Sequence, residues 1–434
     1  MTNARLLLVV LLCAAPAILV FDGAIVHGVL AGVAAVGIAI VSRTMRPVET
    51  QFFLSFAKLS AAFAAIPALW MLIQVLPLPL LANPIWASAQ SGTGHSIAGS
   101  ISIDIGASVM SLGFYLTIAA IAFWSAAVAV DRQRAEWILF ALMSATALIG
   151  LMVAATNLFG PSYLNFKTSL SERTQGIDCV AMGVLIAAAA GVRTMERYET
   201  RRTSPNRSVS ALLRTFAACA IALTICVAVL IMSAPVGTLV ATGFGVVALI
   251  SAVLVRRLGL GPWSIVATAV PALAIAGFLA ASEPKLRTEN FAFAFAREAP
   301  ASLTAMSQRI LSDTPLRGTG AGTFAAIAPI YRDVEDQTAI FAAPTAAAAI
   351  AIELGPPMLW LIVATMAGSI YVLLRAALRR GRDSFYPTAG ASCLITLLFL
   401  SFMNAEVLGS AIGMIIAATL GLAFAQSKSR TISQ

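Results

Sequence analysis

Charge is scarce in this chain. Only 11% of its 434 residues are Asp, Glu, Lys or Arg, while 59% are hydrophobic; an ordinary soluble domain carries roughly 25% charged residues. That balance excludes a soluble globular protein, because so little polar surface could not cover so large a core. Histidine is scarcer still: His27 and His95 are the only two, which argues against a histidine-based metal site. The five cysteines, Cys13, Cys179, Cys219, Cys226 and Cys393, lie in or at the edge of apolar runs. Cys219 and Cys226 share a helix face, yet they read as small apolar filler, and neither a disulfide framework nor metal-ligand spacing is present. No internal repeat is visible. Neither a metal nor a cofactor is expected.

What is abundant is apolar sequence in runs of about twenty residues, the length that crosses a hydrocarbon core of about 30 Å. The fold class is therefore an all-α polytopic membrane protein. About twelve spans are expected, near 6–21, 24–41, 59–80, 108–130, 137–158, 176–192, 213–232, 236–255, 264–281, 346–374, 387–403 and 406–425. They divide the chain into a transmembrane bundle over 1–281 with about nine spans, a hydrophilic loop over 282–344, and a C-terminal transmembrane segment over 345–434 with about three. The first run, behind Arg5, lacks a convincing small-residue cleavage site, so it reads as an uncleaved span. Asp178 and Glu406 fall at span ends and read as interfacial.

The net charge of +9 does not point to nucleic acid, because the basic residues cluster in alternate links, as membrane orientation requires. Twenty of the 28 basic residues fall on one side of the alternating spans, so both termini are expected to be cytoplasmic. The long loop, with six basic and seven acidic residues, then lies on the opposite face. Within it, Phe291, Phe293 and Phe295 alternate with alanine, as in an extended or interfacial segment. Residues 299–312 read as a short amphipathic helix with Leu303, Met306, Ile310 and Leu311 on one face, stopped by Pro315. Then follows Pro315-Leu316-Arg317-Gly318-Thr319-Gly320-Ala321-Gly322-Thr323-Phe324. Glycine at every second position can expose several backbone N–H groups and admit a ligand closely; a plain turn is the alternative.

This glycine run, Glu353-Leu354-Gly355 and the late position of the loop resemble the O-antigen ligase and Wzy-type polysaccharide polymerase superfamily, in a divergent, exopolysaccharide-type form. Gly99-Ser100-Ile101-Ser102-Ile103-Asp104 is similar to the motif that precedes a span in such members, and Arg173-Thr174-Gln175-Gly176 to another. The resemblance implies a bacterial inner-membrane protein with a periplasmic long loop, acting in lipopolysaccharide or exopolysaccharide biosynthesis. Its substrate would be a glycan carried on undecaprenyl pyrophosphate, and its further partners the lipid bilayer and polysaccharide assembly proteins. Arginine suits a pyrophosphate leaving group, because its planar fork carries a permanent charge. Arg297 matches the family arginine ahead of the loop helix, with Arg173 second. Arg309, Arg317, Gly318, Gly320 and Gly322 are the expected substrate-binding residues, and Glu353 and Asp333 join Arg297 and Arg173 as catalytic candidates.

The chain also departs from the pattern. Members that catalyse glycosyl transfer carry a histidine about nine residues before E-L-G; here that position falls on Pro344-Thr345, and no histidine follows His95. The family tryptophan is also missing, its place falling near Thr304. Asp333, Glu335 and Asp336 are the nearby acids that could accept a proton. Whether the protein is an enzyme is left open by this gap. Three functions stay in play: a lipid-linked glycan polymerase or ligase, a non-catalytic accessory of an exopolysaccharide assembly complex, and a polysaccharide or lipid transporter. The last is disfavoured because mid-span charge is nearly absent.

Overall fold

The computed structural model describes residues 1–93, 98–160, 170–201, 209–258, 291–293, 295–296, 299–332, 342–379 and 383–428. Among them there is no strand, and sixteen α-helices make up the bundle and its loops. The first half contains α1 (Thr2–Cys13), α2 (Ala15–Val20), α3 (Ala24–Thr44), α4 (Pro47–Val75), α5 (Ile85–Thr93), α6 (Ile105–Val128), α7 (Arg132–Phe159) and α8 (Leu170–Arg201). The second contains α9 (Val209–Ser233), α10 (Val236–Arg257), α11 (Ala301–Asp313), α12 (Phe324–Tyr331), α13 (Ala346–Glu353), α14 (Pro356–Arg379), α15 (Phe385–Ser401) and α16 (Ser410–Ala425).

Eight of these, α3, α4, α6 to α10 and α14, are long and apolar enough to cross a bilayer. The outward faces carry exposed apolar side chains such as Ile25 (85%), Ile231 (71%) and Trp360 (52%), a pattern that water does not tolerate and lipid does. The fold is that of a multi-pass membrane protein. Helices α1, α15 and α16 are apolar but shorter, and the expected span 264–281 lies outside the described residues. The first expected span is broken between α1 and α2, where Pro16 occupies the first turn of α2 and removes a helical N–H. The expected span 346–374 is also divided. Leu354-Gly355 separates α13 from α14, with Gly355 at φ 94°, ahead of Pro356-Pro357.

The two ends of the bundle differ in chemistry. Helices α3, α6 and α16 run parallel: Gly37 of α3 packs on Trp124 of α6, and Gly413 and Gly421 of α16 pack on Ile118 and Ala122 of α6. At the end where α3 and α6 finish, four ion pairs among the described residues tie the links together. Arg132 meets Asp383 at 2.7 Å, Arg134 meets Glu49 at 3.5 Å, Arg193 meets Glu136 at 2.5 Å, and Arg256 meets Glu196. Arg193 is buried and also lies over the rings of Phe140 and Phe385. At the other end, where α3, α6 and α16 begin, Ser410 Oγ donates to Asp22 at 2.6 Å, and His27 Nε2 lies 2.9 Å from the same carboxylate. The glycine segment is also at this end, because it packs on the last turn of α4 and the first turns of α6.

Asp178 lies at the end of the bundle where α10 and α16 begin, among Thr238 and Asn404. Helix α8 begins at Leu170 rather than near 176, so Asp178 lies two turns inside it and is fully buried. Its Oδ1 faces Asn404 Nδ2 at 3.4 Å and Thr238 Oγ1 at 3.5 Å. Glu406 keeps partial exposure in a short 3-10 turn.

Candidate functional site

The segment after α11 is built as a scaffold. Met306 and Ile310 bury one face of α11, with Leu303 and Leu311 packed beside them, and Thr314 turns extended ahead of Pro315. Residues 291–293 form a 3-10 helix rather than an extended strand, because Phe293 turns inward against the same cluster. Gly318, Gly320 and Gly322 then take φ of 77°, 113° and 74°, values that residues with a Cβ rarely adopt. A Cβ at Gly320 would run into the backbone and side chain of Ser102, and one at Gly318 into the main chain of Glu353.

The expectation of an open array of N–H groups is corrected, because the protein satisfies each of them itself. Gly318 N donates to Pro315 O at 2.8 Å, Thr319 N to Ile352 O at 3.1 Å and Gly320 N to Glu353 O at 3.0 Å. Ala321 N donates to Gln74 Oε1 at 3.2 Å, and Thr323 N to Gly320 O at 3.3 Å. The last two meet one carboxylate: Gly322 N donates to Glu353 Oε2 at 2.8 Å and Phe324 N to Glu353 Oε1 at 3.2 Å. The side chain of Glu353 thus fills the concavity of the loop and caps the start of α12.

Gln74, fully buried in the last turn of α4, is the second organiser. Its Nε2 donates to Arg317 O at 3.0 Å and Glu353 O at 2.9 Å while its Oε1 accepts from Ala321 N. Trp70, one turn earlier, donates from Nε1 to Leu354 O at 2.9 Å. The third wall is the segment before α6. Ile103 N donates to Thr319 O at 3.0 Å, Ser108 Oγ to Ala321 O at 2.9 Å, and Ser102 Oγ bonds Ser108 Oγ at 2.7 Å. Asp104 caps α6 through Ala107 N at 3.0 Å. The motif around Gly99 to Asp104 and the glycine run, over two hundred residues apart in the chain, are therefore in direct contact.

Glu353 ends α13, ahead of the span α14. Burial lifts its carboxyl from 4.5 to about 7, against the lowering pull of the Gly322 and Phe324 N–H groups. It keeps partial exposure at the edge of the loop, as does Gly322. Below the loop an apolar groove of about 420 Å³ runs between α4 and α6, lined by Ala61, Ala65, Ala68, Leu112, Leu116 and Phe123 among others. Leu112 and Tyr115 line it and also pack against the cluster that holds Met71, Ala321, Leu354 and Met358, so groove and loop share a wall.

Of the expected site residues, the structure brings together Glu353, Gly318, Gly320, Gly322 and Arg317, whose side chain is partly exposed. Arg309 is exposed on α11 and Arg173 is exposed in the first turns of α8; helix α8 packs on α2, α7, α9, α10, α15 and α16. Arg297, Asp333, Glu335, Asp336 and His95 lie outside the described residues. The position where the resemblance expects histidine is structural: Pro344 is buried, and Thr345 Oγ1 accepts from Ala348 N at 3.0 Å, capping α13, while donating to Ala292 O at 3.0 Å. Among the described residues, no group of three or more His, Cys, Asp or Glu could hold a metal ion. Sequence reasoning missed Gln74, Trp70 and Ser108; the one available signal was a lone amide, Gln74, inside an apolar span. No protein-family model matches this chain, and no curated protein matches its sequence.

Proposed function

We propose that the protein acts in bacterial cell-surface polysaccharide assembly, as an O-antigen ligase- or polymerase-like protein that takes an undecaprenyl-pyrophosphate-linked glycan at the periplasmic face of the inner membrane. The observation that carries this reading is the shared wall of the glycine loop and the groove. A mostly apolar slot between α4 and α6 ends beneath a polar loop bearing Arg317, a shape suited to an amphiphile with a hydrocarbon tail and an anionic head. Under this reading the tail lies along the groove and the pyrophosphate meets the loop. Arg317, Arg309, Arg297 and Arg173 supply positive charge on that face, which in transfer would stabilise the lipid pyrophosphate as the bond from sugar carbon to phosphate oxygen breaks and the acceptor hydroxyl oxygen takes its place. The acceptor proton would pass to a carboxylate, with Asp333 the candidate.

A second reading, a non-catalytic accessory of an assembly complex, is favoured by Thr345. The position of the family histidine serves to cap a helix. One strain series separates the two. Deletion is expected to accumulate lipid-linked glycan and shorten surface polysaccharide, and complementation with Arg297→Ala restores polymer only if the protein is an accessory. Unchanged surface polysaccharide after deletion would overturn both.

A further inference from the structure

We propose that residues 318–324 form a closed binding site for a phosphate or pyrophosphate group, in which the Glu353 carboxylate occupies the anion position and must leave before the ligand enters. The proposal rests on reading the loop as the headgroup end of the site, and it adds an autoinhibitory contact to that reading. Three observations carry it. The loop already binds an anionic group: both carboxylate oxygens of Glu353 are held by convergent N–H groups, Gly322 N at 2.8 Å and Phe324 N at 3.2 Å. Glycines of left-handed φ at alternate positions give the backbone the concave form in which N–H dipoles collect anions. Finally, the scaffold does not depend on the carboxylate. Thr319 N on Ile352 O, Gly320 N on Glu353 O and Ala321 N on Gln74 Oε1 all persist if the Glu353 side chain swings away.

The surroundings favour an exchange of one anion for another. Arg317 is the cationic group of the loop. Asp104, the acid on the neighbouring α6 terminus, has its carboxylate turned to Ala107 N. From α4 the loop meets Trp70 and Gln74, from α6 Ser108 and Ser111, and from the preceding segment Ser102, all neutral. Glu353 and Gly322 are both partly exposed residues. Burial also moves the carboxyl to about 7, which places its neutralisation within a mildly acidic range.

The test is ligand-dependent thermal unfolding of the full chain in lipid nanodiscs, at pH 6 and pH 8. The probes are inorganic pyrophosphate and sulfate, the latter keeping its charge over that interval. Wild type is expected to bind sulfate about tenfold more tightly at pH 6 than at pH 8, following the fraction of protein with a neutral Glu353. Glu353→Gln and Glu353→Ala are expected to bind both probes at both pH values, without the tenfold step. Equal binding by wild type and variants at both pH values would move the site to exposed arginines and overturn the proposal; absence of binding throughout would do the same. The wild-type pH step stands by itself if a variant fails to fold. A deletion strain with unaltered polysaccharide would sink the functional reading while leaving the anion result in place.

Discussion

Replacing Gln74 by leucine keeps the size of the side chain and removes its polar atoms. Three partners lose a bond. Glu353 O retains Gly320 N as a second donor, so its loss is small. Arg317 O lies on a partly exposed residue and can turn to water. Ala321 N cannot: Ala321 is 2% exposed, and Gln74 Oε1 is its acceptor. A buried donor left without a partner costs about 1–3 kcal/mol, so a total loss of about 2–4 kcal/mol is expected. The loss should be local before it is global, because the spans pack independently of this amide. Hydrogen exchange read by mass spectrometry should therefore show faster exchange in peptides covering 317–324 and 350–355, with α7 and α8 unchanged. A leucine variant with wild-type exchange across the loop would refute the role assigned to Gln74.

Three further outcomes follow from the same geometry. Gly320→Ala should lose about 3 kcal/mol in a denaturant titration, from a backbone conformation hostile to a Cβ plus overlap with Ser102; a loss under 1 kcal/mol would contradict it. Thr345→Val should cost about 1 kcal/mol through loss of the α13 cap, read in the same titration, with Thr345→Ser largely restoring it. The carboxyl of Glu353, raised from 4.5 to about 7 when folded, stabilises the protein most below 4.5, and stability should fall as pH rises through 7. The full swing is at most about 3.5 kcal/mol, since each tenfold change in proton affinity is worth about 1.4 kcal/mol. Glu353→Gln should flatten that slope, and a variant that keeps it would show that another group titrates.

Much of the bundle was legible because apolar length is a local property. The runs that became α7, α9 and α10 stand within a few residues of their expected limits, and α11 followed from the spacing of Leu303, Met306 and Ile310. The break between α13 and α14 falls at Leu354-Gly355, just ahead of Pro356-Pro357. The interior of the loop was not legible, because its partners are remote. Ala321 N finds its acceptor 247 residues away in Gln74, and Gly322 N finds its own 31 residues away in Glu353. Alternating glycine implies a concave run of N–H groups but does not say what fills it; here the filler is the carboxylate of the E-L-G motif itself. The burial of Asp178 was not legible for a related reason, since it depends on where α8 starts and on Thr238 of α10 and Asn404 packing against it. Helix α4 begins at Pro47, well before its apolar stretch, because Pro47 and Glu49 form a favourable helix start.

The central claim, that loop and groove together receive a lipid pyrophosphate, is tested most directly by photo-crosslinking. A polyprenyl pyrophosphate with a photoreactive tail, incorporated into nanodiscs with the purified protein, is expected to label α4 and α6 at groove residues such as Ala65 and Leu116. Ala68→Trp, which fills the groove while leaving Gln74 and the loop intact, should reduce that labelling at least tenfold. Labelling confined to other helices, or undiminished by Ala68→Trp, would contradict the account.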